Sequence, residues 1–126
     1  MSMVMERRGV DAKTIKRFEI WEVDLGKGNG SVQGGNRPCV ITSNNIGNKY
    51  SPVVIVAPLT KSRTKKEMPT HIKLDADEIG LYDDSTILFE QSITIPKDKV
   101  AYKIADIPKR LVSAANMALS ISLGLQ

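Results

Sequence analysis

Val53-Val54-Ile55-Val56-Ala57 is an unbroken apolar run, mostly β-branched, and no other stretch limits the fold of this chain so strongly. β-Branched side chains favour extended backbone, and a run with no polar interruption suits a strand covered on both faces. It is therefore read as a buried central strand, ended by Pro58, with Leu59-Thr60 at its exit and a charged loop from Lys61 to Glu67 beyond. Neighbours for such a strand are visible. Phe18 to Leu25 alternates apolar and polar residues, the period of a half-buried strand. Pro38 to Ser43 and His71 to Leu74 are further strands, and Ser85 to Ile95 reads as one long strand that bends. Asn44 to Pro52 is turn chemistry with room for one helical turn. Val112, Ala115, Leu119 and Leu123 recur at spacings of three and four, so the chain should finish in a helix. Asp106 and Pro108 would start that helix, by capping and by preset φ. About five strands and one helix predict a mainly β, α+β fold: a small, strongly bent sheet or barrel with the helix packed against it.

At 126 residues, with 41% apolar and 25% charged residues, the chain suits one domain with its own core. The domain proper is expected over residues 17–126, after an N-terminal extension of residues 1–16 that has no settled period. No stretch approaches the ~20 apolar residues of a membrane span, and the extension lacks the apolar centre of a secretory signal. A soluble, cytoplasmic protein is expected. The net charge of +4 leans towards an anionic partner.

The chemistry concentrates in Gln33-Gly34-Gly35-Asn36-Arg37-Pro38. Two glycines let the backbone take φ > 0 or approach a ligand closely, and Pro38 fixes the chain as it enters a strand. A guanidinium at that entry, beside bare backbone N–H groups, is suited to holding a phosphate. Other chemistries lack their parts. One histidine and one cysteine provide no metal framework, and Cys39 in its apolar run reads as a buried, inert thiol. Gly26-Lys27-Gly28-Asn29-Gly30 lacks the spacing of a nucleotide phosphate loop. Lys61-Ser62-Arg63-Thr64-Lys65-Lys66 is basic without aromatics nearby, which gives only non-specific attraction to phosphates.

The order of motifs resembles the MazF/PemK family of toxin endoribonucleases, the mRNA interferases of type II toxin–antitoxin systems. The match runs through Val23-Asp24-Leu25, Gln33 to Pro38, Ile41 to Thr60, Met68 to Ile72 and Leu88 to Ile95. The resemblance implies an SH3-like barrel with a C-terminal helix, a homodimer, and metal-free cleavage of single-stranded RNA without a cofactor. It also implies a MazE-like antitoxin that lays an acidic and apolar segment over the RNA groove. The family's catalytic pair falls on Arg37 and Thr60. Ser31, Gln33, Gly34, Gly35 and Gln91 are base-contact candidates by the same resemblance. Lys61 would attract the RNA backbone, and His71 either stacks on a base, lines the groove or is a buried structural histidine.

Without metal, the ribose 2′-OH attacks the adjacent phosphorus and expels the 5′ oxygen, leaving 2′,3′-cyclic phosphate and 5′-OH ends. Arg37 suits stabilisation of phosphorane charge and donation of a proton, since a guanidinium matches phosphate but is a poor base. Thr60 suits orientation of the phosphate. The chain departs from the family at Val32, where many relatives are acidic, and at Ile93, where many are basic. It departs also at Arg17-Phe18-Glu19, where Arg-Gly-Asp is common. These changes bear on which RNA is cut more than on cutting. The alternatives are a non-enzymatic CcdB-like toxin acting on DNA gyrase, for which the Arg37/Thr60 pair is unnecessary, and a catalytically dead RNA- or antitoxin-binding relative.

Overall fold

The computed structural model describes residues 13–30, 32–61 and 68–125. Seven strands build the sheet: β1 (Glu19–Asp24), β2 (Asn36–Ile41), β3 (Val53–Lys61), β4 (His71–Leu74), β5 (Ser85–Leu88), β6 (Ile93–Pro96) and β7 (Val100–Asp106). Among the described residues, three α-helices accompany them: α1 (Asn45–Tyr50), α2 (Ala76–Ile79) and α3 (Val112–Ser122). The strands run in the order β4-β5-β3-β2-β1-β7, with β6 also on β3, and all pairs are antiparallel. The expectation of a mainly β fold ending in a helix holds, but the strand path starts at β4 and ends at β7 without closing on itself.

Period-2 alternation gives the sheet two apolar faces. Ile20, Val40, Ala57, Leu59 and Ile87 form one core with Phe89 and with Ala115 and Ala118 of α3. Trp21, Val23, Cys39, Ile41, Val54 and Val56 form the other, with Ile95 and Val100. Ile15 packs into this second core, so the packed body reaches back past Arg17. Residues 1–12, most of the expected N-terminal extension, lie outside the described residues.

The central strand differs from its expected form in two ways. Val53 and Ile55 are 38% and 39% exposed, so the apolar run is half-buried at its start and fully buried only from Val56 onward. Nor does Pro58 end the strand. β3 pairs with β6 over Val53–Val56 and with β5 over Leu59–Lys61 on the same side. Pro58 sits between these ladders, where its missing N–H costs no strand hydrogen bond.

The expected long strand from Ser85 to Ile95 is broken by a 3-10 turn at Phe89–Gln91, which lets β5 and β6 meet different halves of β3. Asp106 does not cap α3. It ends β7, and a 3-10 turn at Lys109–Leu111 leads into the helix, just after Pro108 at φ −58°. Leu123 falls beyond α3 and is exposed.

Phe18 takes φ 68°, in the left-handed region that favours glycine. Its ring is buried, its N–H donates to Ile41 O at 2.7 Å, and its carbonyl accepts from Ile107 N at 3.0 Å. The neighbouring Glu19 carboxylate is buried as well. It accepts from Lys16 N at 2.8 Å and Trp21 Nε1 at 3.0 Å, and pairs with Lys103 Nζ at 3.0 Å. Burial pushes its pKa up, but the Trp21, Lys16 and Lys103 partners outweigh burial and hold the carboxyl below its usual range.

Candidate active site

Arg37 continues a row that begins in the second core. Ile41, Cys39 and Arg37 alternate along β2, and Val23 of β1 lies directly opposite Arg37. On β3 the same face carries Val54, Val56, Pro58 and then Thr60. The β2–β3 ladder ends at the Cys39–Pro58 pair, and two residues further along brings Arg37 and Thr60 level. The apolar surface therefore gives way to a guanidinium and a hydroxyl side by side, where β2 and β3 stop pairing.

The guanidinium is held where the ladder stops. Arg37 Nε donates to Gly34 O at 3.1 Å and Nη1 donates to Leu59 O at 3.0 Å. Nη2 makes no hydrogen bond among the described residues. Arg37 and Thr60 line a cleft of about 300 Å³ together with Lys61, Tyr82, Asp83 and Ser85. Lys61 Nζ stands 3.6 Å from Asp83 Oδ2, an exposed pair across the mouth. Behind Arg37, burial pushes the Cys39 thiol up to about 12, so the only cysteine is protonated and buried as expected.

Next to the cleft, the loop from β1 to β2 folds back on itself. Gly35 N donates to Gly26 O at 2.6 Å, and Asn29 and Val32 exchange backbone hydrogen bonds. Gly34 packs against the backbone of Gly28 so closely that a Cβ would fall 2.1 Å from Gly28 N. Gly35 has φ +73°, the region its two-glycine motif anticipated. Gln33 N donates to Gln91 Oε1 at 3.0 Å, tying this loop to the turn after β5. Ser31 and residues 62–67, which include the basic neighbours of Lys61, lie outside the described residues.

That turn carries a second cluster, absent from the sequence reading. Glu90 accepts from Thr70 Oγ1 at 2.9 Å and pairs with His71 Nε2 at 2.9 Å. Burial raises the Glu90 pKa, but hydrogen bonds from His71, its own backbone and Thr70 outweigh that and hold it below the usual range. The His71 side chain is only 10% exposed, and its buried Nδ1 has no partner among the described residues.

Arg37, Thr60 and Lys61 thus share one cleft. Gln33, Gly34 and Gln91 join it through hydrogen bonds, whereas His71 pairs with Glu90 of the neighbouring turn. Glu90 and Tyr82 are additions from the structure. Tyr82 is fully exposed at the cleft. Its loop is pinned by Ala76 N donating to Asp84 Oδ1 at 2.8 Å and Leu81 N donating to Ala76 O at 3.2 Å. An aromatic left bare beside an arginine needs spatial knowledge to be noticed; in sequence it is one turn residue among others. The departing residues Val32 and Ile93 are 55% and 42% exposed, outside both cores.

Comparison with known proteins identifies the family of the chain. A family model for the PemK-like, MazF-like toxin of type II toxin–antitoxin systems matches residues 16–123. Endoribonuclease EndoA of Bacillus subtilis is 40% identical over 111 residues, covering 88% of this chain and 96% of that relative. Endoribonuclease MazF of Staphylococcus epidermidis is 41% identical over 111 residues, covering 88% of this chain and 92% of its own. Among solved structures, MazF from Deinococcus radiodurans superposes with a TM-score of 0.73 at 21% identity, over 89% of this chain and 98% of the other. An endoribonuclease in complex with its cognate antitoxin from Mycobacterial species gives a TM-score of 0.70 at 24% identity, over 89% and 97%. The chain belongs to the PemK-like, MazF-like toxins of type II toxin–antitoxin systems.

Proposed function

We propose that this chain is the toxin of its system and a metal-independent endoribonuclease that cuts single-stranded RNA at short sequences. The observation that carries the reading is the Arg37 guanidinium, fixed by two carbonyl oxygens and lining a cleft together with Thr60. A fixed cation needs no reorganisation as charge builds on a phosphorane, which is the largest single contribution an enzyme makes to many such reactions. The 2′ oxygen forms a bond to phosphorus as the bond to the 5′ oxygen breaks. The 2′-OH proton leaves to water by way of the Thr60 hydroxyl, while Arg37 stabilises the phosphorane, protonates the leaving 5′ oxygen and regains its proton from water. Products carry 2′,3′-cyclic phosphate and 5′-OH ends.

Single-stranded RNA can splay its bases onto nearby groups. Tyr82, bare at the cleft, offers a stacking surface, and Ser31, Gln33, Gly34, Gly35 and Gln91 are the base-contact candidates of this reading. The relatives named endoribonuclease at 40% and 41% identity support the activity, and the antitoxin complex among the solved structures supports a MazE-like partner. That partner would present acidic and apolar side chains to this chain of net charge +4. A homodimer is part of the same proposal. Ile55, Leu119, Leu123 and Leu125 line an apolar groove of about 500 Å³ beside α3, a face a second copy would cover. The bent sheet is taken as the family's SH3-like barrel, and the cytoplasm, where mRNA is found, as its location.

Arg37→Ala and Thr60→Ala are each expected to lose about 10²–10³ in cleavage rate while staying folded, the cost of removing a transition-state donor. Near-parental cleavage by either purified variant would overturn the assignment of that residue.

A further inference from the structure

We infer that Gln91 is a positioning residue for Arg37, acting through the backbone of the β1–β2 loop. The inference rests on the endoribonuclease reading for its effect on rate, but its geometry stands independently. Gln91 Oε1 accepts from Gln33 N at 3.0 Å, and the next residue, Gly34, offers its carbonyl to Arg37 Nε at 3.1 Å. Two hydrogen bonds and the backbone of two residues, Gln33 and Gly34, therefore connect a side chain on the Phe89–Gln91 turn to the proposed catalytic cation.

The far end of the relay is held by burial and hydrogen bonds. Phe89 is 1% exposed in the first core, and its N–H donates to Thr70 O at 3.1 Å. Ser92 closes the turn, with N and Oγ both donating to Phe89 O, at 3.3 and 2.8 Å. Glu90 is clamped by Thr70 and His71, each at 2.9 Å. Gln91 is thus mounted on a turn held from three directions, the support a precisely placed group needs.

The near end is a glycine-rich loop. Its own hydrogen bonds, Leu25 N to Gly35 O at 3.0 Å and Gly35 N to Gly26 O at 2.6 Å, fix its base. Gln91 adds a bond from a different part of the sheet, 58 residues away in sequence, at the residue preceding the carbonyl that Arg37 uses. A direct base contact by Gln91 would make the residue a reader of sequence. The relay makes it a determinant of turnover, and the two roles differ in what they change.

Gln91→Ala and Gln91→Glu are the informative variants, since glutamate keeps an acceptor oxygen at the same reach. Cleavage of a long single-stranded RNA, with every cut mapped, is measured alongside hydrogen exchange at the Gln33 amide. The expected result for Gln91→Ala is a kcat lower by about tenfold to a hundredfold, as small misplacements of a catalytic group cost. KM should stay within about threefold, the cut sequences should be unchanged, and the Gln33 amide should exchange faster. Gln91→Glu should recover most of the kcat and the amide protection. A kcat for Gln91→Ala within threefold of the parent, or altered cut sites with the Gln33 amide still protected, would overturn the inference. Arg37→Ala in the same assay separates the two claims. If it is inactive while Gln91→Ala is normal, the relay fails and the enzyme reading stands; if it cleaves at full rate, the enzyme reading fails, and the amide exchange alone decides whether the relay exists.

Discussion

Gly34→Ala should remove most RNA cleavage by moving the carbonyl that Arg37 leans on. A Cβ on Gly34 would lie 2.1 Å from Gly28 N, 2.5 Å from Gly28 Cα and 3.0 Å from Gly26 O, all backbone atoms, where ordinary contact begins at 3.4 Å. No flexible side chain can yield, so the two loop segments must part by about 1.3 Å. The Arg37 Nε–Gly34 O hydrogen bond, at 3.1 Å, does not survive a shift of that size. A misplacement near 1 Å at a catalytic group can cost about 10²-fold in rate. Gly35→Ala is the control, because a Cβ there meets nothing within 4 Å. Its cost is the left-handed φ of +73°, a strain of about 1–2 kcal/mol read as lower stability. The assay pairs initial rates on saturating single-stranded RNA with thermal unfolding of each variant. Gly34→Ala should fall about a hundredfold in kcat at a temperature where it remains folded, and Gly35→Ala should lose more in Tm than in kcat. A folded Gly34→Ala cleaving within threefold of the parent would refute the link between loop packing and the guanidinium.

Two further predictions concern stability. Phe18→Gly relieves a left-handed backbone worth about 1–2 kcal/mol but empties a buried aromatic site worth about 3–5 kcal/mol, so the net expectation is a loss of roughly 2 kcal/mol in denaturant unfolding. A variant as stable as the parent would mean the ring contributes little to the core. Glu90 is held below its ordinary pKa of 4.5, so its contribution is present above that value and is lost as pH falls through the folded-state value. Glu90→Gln should therefore show a smaller drop in Tm between pH 6 and pH 3 than the parent does, and equal drops would count against the Thr70–His71 clamp.

What the sequence disclosed follows from where its signals are local. The Val53–Ala57 run, the alternation from Phe18 to Leu25 and the final apolar stripe each report on one element, and each element formed. β7 was missed because it is an edge strand in which only Val100 is buried, so Ala101-Tyr102-Lys103 shows no alternation to read. Pro58 misled because its acceptability depends on β5 and β6 leaving a gap beside it, a property of two other strands. Arg37 is legible in its glycine-flanked motif as a cation suited to phosphate, whereas Thr60 is singled out only by the resemblance in motif order. Their proximity is a consequence of register, carried two positions past the last β2–β3 pair. Glu90, Tyr82 and the Gln91–Gln33 bond had no sequence signal at all, since each depends on contacts between segments far apart in the chain.

End analysis of RNA cut by the purified protein in excess chelator tests the proposed chemistry most directly. The expected result is cleavage undiminished by EDTA, with 2′,3′-cyclic phosphate and 5′-OH ends, and its loss in Arg37→Ala. Ends carrying 5′ phosphate, or cleavage abolished by the chelator and restored by a divalent cation, would contradict attack by the ribose 2′-OH under Arg37.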